Sequence, residues 1–297
     1  MNILVIGANG FIGHHAADYF AKQHDRCILA DTHEKTMEKG YIRIDKDIPD
    51  FDSVFREHDV DVCINASGCA NVSASFNDPA TDSRLNYQNV ELMLEAIRKF
   101  SPKTKYITLS SAAVYGTPQK LPVSESDKLV PVSPYGYHKM FSEMACEMYS
   151  KYYGIRTYAL RLFSLYGIGQ KKLLIWDLVN KFAKDEEVHL FGTGKESRDY
   201  ISIEDAIRAI ALFVYEDIPS GVYNVANGEE ITVSQVALLV KKYMDSPKKI
   251  VYSNEIRKGD PLNWRADVGL IESYGYKKSI CFEDGIKQYV EWAKEQI

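Results

Sequence analysis

Tyr135 and Lys139 stand four residues apart in Tyr135-Gly136-Tyr137-His138-Lys139, a spacing that puts a phenol and an ammonium on one face of a helix. A phenol with its ordinary pKa near 10 is a poor base at neutral pH, and lowering it by ~3 units takes ~4 kcal/mol. An adjacent ammonium supplies part of that stabilisation, so the pair is suited to taking a proton from an alcohol. With 20 tyrosines in the chain a chance repeat is expected, and Tyr274 with Lys278, beside a Gly/Lys-rich turn near the C-terminus, is read as one. Ser111 lies upstream in Leu109-Ser110-Ser111-Ala112-Ala113-Val114-Tyr115-Gly116, at the end of an apolar run. Alone, such a serine reads as a helix cap or turn residue. Beside a Tyr/Lys pair, its hydroxyl can hydrogen-bond a substrate oxygen that is losing or gaining its proton.

A second constellation opens the chain. The apolar run from Asn2 to Ile6 leads into Gly7-Ala8-Asn9-Gly10-Phe11-Ile12-Gly13 and then into a helical pattern. In such a turn Gly7 permits the sharp bend, Gly10 lets backbone amides approach a pyrophosphate and Gly13 lets helix pack on strand. The helix N-terminus then offers an anion site. Asp31 closes the second apolar run, where a carboxylate accepts from both ribose hydroxyls and repels a 2′-phosphate. With no arginine in the glycine loop or just after Asp31, and only Lys35 nearby, NAD is expected rather than NADP. Asp47, early in the loop after a third strand, is a candidate for the adenine amino group and equally for a solvated loop charge. A cationic nicotinamide near Tyr135 would complete the stabilisation of its phenolate, making Ser111, Tyr135 and Lys139 a hydride-transfer site.

These residues need a scaffold that brings strand ends together. Apolar runs at Asn2 to Ile6, Cys27 to Asp31, Val62 to Asn65, Lys105 to Leu109 and Arg156 to Leu162 read as buried strands. Amphipathic stretches at Phe11 to Lys22, Asp82 to Phe100 and Tyr135 to Tyr153 lie between them. That alternation predicts an α/β fold with a doubly wound parallel sheet of the Rossmann type. Beyond Tyr166 the rhythm loosens: a helix near Leu173 to Lys184, short strands near Val188 and Tyr200, helices near Glu204 and Thr232 and a last helix from Phe282. The expected division is a nucleotide-binding part over 1–166, with a strand and helix near 198–225 added back. A smaller mixed α/β lobe over 167–297 would pack on it, with a cleft between the two.

Composition narrows the classes. At 297 residues and 45% hydrophobic the chain can bury a real core, which excludes disorder. A net charge of −5 without a basic stripe argues against nucleic acid. No apolar run approaches the ~18 residues of a membrane span, and no basic segment precedes the first strand. Five scattered cysteines without a Cys-x-x-Cys indicate neither a disulfide framework nor a metal site, and a reducing, cytoplasmic setting is expected.

Together the glycine motif, Ser111-x-x-Val114-Tyr115-Gly116 and Ser133-Pro134-Tyr135-x-x-x-Lys139 resemble the extended short-chain dehydrogenase/reductase family, in its nucleotide-sugar epimerase/dehydratase branch. Similarity continues at Arg161 to Gly167, Phe191 to Gly194, Arg198-Asp199-Tyr200 and Arg257-Lys258-Gly259-Asp260. The resemblance implies that Arg198 and Arg257 hold the diphosphate of a nucleoside-diphosphate sugar, a role that guanidinium forks suit. It extends the expected cofactor contacts to Phe11, Ile12, Ile48 and Ala66, and the substrate contacts to Ser75, Ser164, Asp260 and Trp264.

Departures from the pattern select the reaction. The 4,6-dehydratases that resemble this chain carry Asp-Glu where it has Ala112-Ala113, and the epimerase-reductases that make GDP-fucose carry a cysteine at Ala113. Neither alanine moves a proton. Ser164 replaces a family asparagine, and Trp264 stands where bulk on the sugar is sensed, read either as narrowing the pocket against an N-acetyl group or as a core-filling indole. The expected activity is an NAD-dependent nucleotide-sugar 4-epimerase working through a 4-keto intermediate. The alternatives are a 4-ketoreductase using the same three residues once, and a non-catalytic dinucleotide-binding protein, which would be expected to lose the Tyr or the Lys. A homodimer through the Asp82 to Phe100 and Tyr135 to Tyr153 helices follows from the resemblance; apolar faces there are equally explained by packing on the sheet.

Overall fold

The computed structural model describes residues 1–33, 40–255 and 262–297. Its strands, in chain order, are β1 (Asn2–Ile6), β2 (Arg26–Asp31), β3 (Tyr41–Arg43), β4 (Val62–Asn65), β5 (Lys105–Ser111), β6 (Thr157–Leu162), β7 (Ser164–Tyr166), β8 (Val188–Leu190), β9 (Ser197–Arg198), β10 (Tyr200–Ser202), β11 (Gly221–Val225), β12 (Ile231–Thr232) and β13 (Ile250–Tyr252). Seven of them form one sheet in the order β11-β6-β5-β4-β1-β2-β3, with the pairs from β6 to β3 parallel. This is the doubly wound α/β architecture that the strand-helix alternation predicts. Continuous apolar runs suit it, because a strand covered by helices on both sides has no solvent face to keep polar.

The chain divides into two compact units, Met1–Gly116 with Glu125–Leu162 and Ile207–Asn224, and Thr117–Ser124 with Phe163–Ala206 and Val225–Ile297. In the first, Leu4, Ile28, Phe55, Met93, Ile97, Tyr106 and Tyr149 belong to one buried cluster. The strand order turns back between β1 and β4, and ligands bind such sheets outside the carboxyl ends of the strands at that point. In the second, a core of Tyr166, Leu178, Phe182, Val236, Ile286 and Tyr289 is joined by short two-stranded pairings: β10 with β7, β12 with β9 and β13 with β8.

Two glycines at the switch point are fixed by contact. Gly7 has φ +83°, and a Cβ on it would lie 2.7 Å from the backbone of Ala66 and Ser67. A Cβ on Gly13 would lie 2.1 Å from the Gly7 carbonyl oxygen, so the helix Phe11–Lys22 rests directly on the turn that precedes it.

The stretch read as one amphipathic helix from Asp82 to Phe100 begins earlier, at Pro79, with the Asp78 side chain accepting from Thr81 N. It widens into a π turn at Arg84–Gln88 before resuming as Asn89–Phe100. Such a turn inserts a residue and redirects the side chains ahead of it, a change that periodicity over a long window averages away. The third strand expected before Asp47 is β3, whereas the helix Phe51–Glu57 has no counterpart in the sequence reading, being too short to show a period.

Candidate active site

The helix Pro134–Tyr153 carries the Tyr/Lys pair. Ser133 caps it by accepting from Gly136 N at 3.1 Å, Pro134 occupies its first turn, and Gly154 ends it in the left-handed region at φ +69°. Tyr135, Lys139, Glu143, Cys146 and Tyr149 are all buried, a stripe at i, i+4 and i, i+3 spacing along one face of the helix. Ser111 ends β5 and caps the short 3-10 turn Ala112–Tyr115 through Ala113 N at 3.2 Å, the cap role that such a serine takes on its own.

The three side chains come together. The Tyr135 phenol is hydrogen-bonded with Ser111. Lys139 Nζ lies 5.9 Å from the centre of the Tyr135 ring and donates to the Leu109 carbonyl at 2.8 Å. Burial pushes the phenol up to about 12, with the charge of Asp82 adding to the rise and the Ser111 bond opposing it. Burial also pulls the Lys139 ammonium down to about 8, against the carboxylates of Asp82 and Glu143. Both groups are thus held toward neutrality, and a positive charge arriving next to the phenol is what makes it a usable base.

Around the glycine turn, Asn9 N donates to Asp31 Oδ2 at 2.9 Å and Thr32 N to Asp31 Oδ1 at 2.6 Å, fixing that carboxylate at the end of β2. Gly10 begins the helix without a side-chain cap, and no acidic residue stands in its first turn, so its N–H groups remain offered to an anion. Phe11 and Ile12 open the helix, and Ala66 follows β4 with its N–H on the Ile6 carbonyl at 2.8 Å. Asn9, given no role by the sequence reading, donates through Nδ2 to Tyr41 Oη at 2.8 Å while its buried Oδ1 has no partner among the described residues. These features fit a dinucleotide, with a pyrophosphate on the helix N–H groups and a ribose on Asp31. Asp47 is exposed and paired with Lys46 at 2.6 Å and Arg84 at 3.4 Å, while Ile48 is 81% exposed beside it.

Ser75 is fully buried, donates to the Val72 carbonyl at 2.7 Å and accepts from Tyr135 N at 3.2 Å, so its hydroxyl holds the first turn of the helix Pro134–Tyr153. Ser164, Arg198 and Trp264 belong to the second unit. Ser164 N donates to the Asp199 carbonyl at 2.9 Å, and Arg198 Nη1 donates to the Ser197 carbonyl at 2.7 Å. Trp264 is buried, edge-on to Phe163 at 5.6 Å. Arg257 and Asp260 lie outside the described residues.

Two groups near the pair have no local signal in the sequence. Glu143 takes a bidentate bond from Arg161, at 3.0 Å and 2.7 Å, and accepts from Ser110 Oγ at 2.5 Å. Asp82, 4% exposed, accepts from Asn86 Nδ2 at 2.9 Å and meets His138 Nδ1 at 2.6 Å. Apart from Asn86, four residues from Asp82, their partners lie 18 to 56 residues away in sequence, beyond any spacing rule. Among the described residues there is no cluster suited to a metal ion and no helix long and apolar enough to cross a membrane.

Residues 3–226 match the NAD dependent epimerase/dehydratase family. A protein of Methanocaldococcus jannaschii described as a putative UDP-glucose 4-epimerase is 28% identical over 302 residues, covering 98% of each chain. The UDP-glucose 4-epimerase of Thermotoga maritima, solved with UDP-glucose, is 28% identical, with a TM-score of 0.90 over 100% of this chain and 99% of that one. The UDP-N-acetylglucosamine 4-epimerase of Methanobrevibacter ruminantium, solved with UDP-N-acetylmuramic acid, is 25% identical at the same TM-score and coverage. With three quarters of its length matched to it, this chain belongs to the NAD dependent epimerase/dehydratase family.

Proposed function

We propose that the protein is a nucleotide-sugar 4-epimerase that works through a transient 4-keto sugar. The observation that carries this reading is the buried Tyr135 phenol, bonded with Ser111 beside Lys139, followed after β5 by Ala112 and Ala113. Beyond the hydride acceptor, a 4-epimerase needs one base at one hydroxyl. Eliminating water needs a further proton-transfer group, and neither alanine supplies one.

Tyr135 takes the proton of the carbon-4 hydroxyl, and Ser111 holds that oxygen through its hydrogen bond as the carbonyl forms. A bound NAD, held by the glycine turn and Asp31, would supply the hydride acceptor and donor for carbon 4. Lys139, as an ammonium, stabilises the phenolate before the proton arrives. After the sugar has turned its other face, Tyr135 gives the proton back, so the reaction is closed in protons and electrons. Asp31 orients the adenosine ribose; Arg198 and Arg257 hold the diphosphate; Ser164, Asp260 and Trp264 contact the sugar, whereas Ser75, expected from the sequence as a sugar contact, is fully buried and acts through the backbone of Tyr135 instead. The named relatives act on UDP-sugars with hexose and N-acetylhexosamine groups, which supports a UDP-sugar here.

Protein purified without added cofactor and then denatured is expected to release NAD or NADH in equimolar amount, measured by mass spectrometry. It is also expected to interconvert UDP-glucose with UDP-galactose, or the N-acetyl or uronic acid counterparts, with no cofactor supplied. Empty sites, together with reduction of 4-keto sugars only at the expense of added NADPH, would replace this reading with that of a ketoreductase.

We further infer a homodimer. On the helices Asn89–Phe100 and Pro134–Tyr153, Leu92, Tyr137, Phe141, Met144 and Met148 are exposed, an apolar surface that a second copy would cover. Sedimentation should give twice the 33.7 kDa chain mass at micromolar concentration, and Met144→Glu should halve it. A monomer in the parent protein rejects the inference.

A further inference from the structure

We propose that Asp82 is a positioning residue for the Tyr135–Lys139 pair, a single buried carboxylate that clamps the catalytic helix through His138 and the loop after β4 through Asn86. The proposal rests on the reading of Tyr135 and Lys139 as the proton-transfer groups. His138 immediately precedes Lys139, and its Nδ1 meets Asp82 Oδ2 at 2.6 Å. The other oxygen, Oδ1, accepts from Asn86 Nδ2 at 2.9 Å. Asn86 in turn bonds the Cys69 backbone both ways: Nδ2 to the carbonyl at 3.0 Å, and Oδ1 from the N–H at 3.2 Å. Asn86 sits in the π turn Arg84–Gln88, a local widening of the kind often found at functional sites. The loop that it holds contains Gly68, at φ +114°, on which a Cβ would lie 2.6 Å from Asn86 Oδ1 and 3.6 Å from Lys139 Nζ. One side chain thereby fixes the helix that presents Lys139 and the loop that roofs it.

The clamp has an electrostatic consequence. Lys139 is faced by Asp82 from the helix Pro79–Ser83, by Glu143 from its own helix, by Cys69 from the loop and by the Leu109 carbonyl from β5. Glu143 is already matched by Arg161, whereas Asp82 is bonded only to His138 and Asn86 among the groups described. Tyr135 is faced by Ser111, Asp82 and Cys69. Asp82 therefore favours the ammonium of Lys139 and opposes the phenolate of Tyr135. Removing its charge moves both titrations in the same direction, toward lower pH.

The test is a pH titration of Tyr135 in the NAD-loaded protein by ultraviolet difference absorbance, with Tyr135→Phe as the blank. Asp82→Asn keeps the shape and hydrogen-bonding capacity and removes the charge. It is expected to bring the Tyr135 phenolate in at a pH lower by about one unit. In turnover, both limbs of the kcat profile should move the same way with little change in KM. An unchanged titration overturns the proposal. Should Asp82→Asn fail to fold, the double variant Asp82→Leu with His138→Leu removes both partners at once, which buried pairs tolerate better than loss of one. The same shift is expected of it, and its absence is equally decisive. Because the titration needs no sugar, a protein that epimerises nothing yet shows the shift would refute the functional reading and leave the clamp standing.

Discussion

Tyr135→Phe is expected to reduce turnover by about 10³-fold or more, the upper part of the range for loss of a positioned acid–base group. Phenylalanine keeps the ring, which is buried, and removes only the oxygen that is bonded with Ser111. The glycine turn and Asp31 are untouched, so NAD released from the denatured variant should match that from the parent protein. Rate and cofactor content together make the test sharp. A variant that loses both has lost its fold, and one that keeps its rate excludes Tyr135 as the base.

Glu143→Ala should be the most damaging change to stability in the same helix, costing about 3–5 kcal/mol as measured by the midpoint of chemical denaturation. The carboxylate is 5% exposed and holds Arg161, itself 3% exposed, through two bonds. Arg161 also donates to Tyr115 Oη at 2.8 Å and to the Glu125 carbonyl at 3.1 Å, and Tyr115 reaches Asn224 Oδ1 at 2.7 Å. Removing Glu143 leaves a buried guanidinium with no countercharge and Ser110 Oγ without its acceptor. A cost under about 1 kcal/mol would mean that water reaches Arg161 and that the network is peripheral.

The same network shows where sequence reading stops. Glu143, Arg161, Tyr115 and Asn224 lie on a helix, a strand, a 3-10 turn and a distant edge strand, and only the folded sheet makes them neighbours. Asp82 and His138 are separated by 56 positions, and a π turn displaces the helical face that a constant period would assign.

What the sequence determined by itself is what depends on short range. The glycine turn needs residues without a Cβ at positions 7 and 13, because contacts of 2.7 and 2.1 Å leave no room for one, and composition alone announces that. The Tyr135–Lys139 face follows from 3.6 residues per turn, and Asp31 from the end of an apolar run. The tertiary structure decided which carboxylates surround the buried pair, that Ser75 is spent on the backbone of Tyr135, and that Trp264 is buried against Phe163. Those are matters of desolvation and of contact between remote segments. A residue's own type and spacing carry no record of the low-polarity surroundings that move the Tyr135 phenol up to about 12 and Lys139 down to about 8.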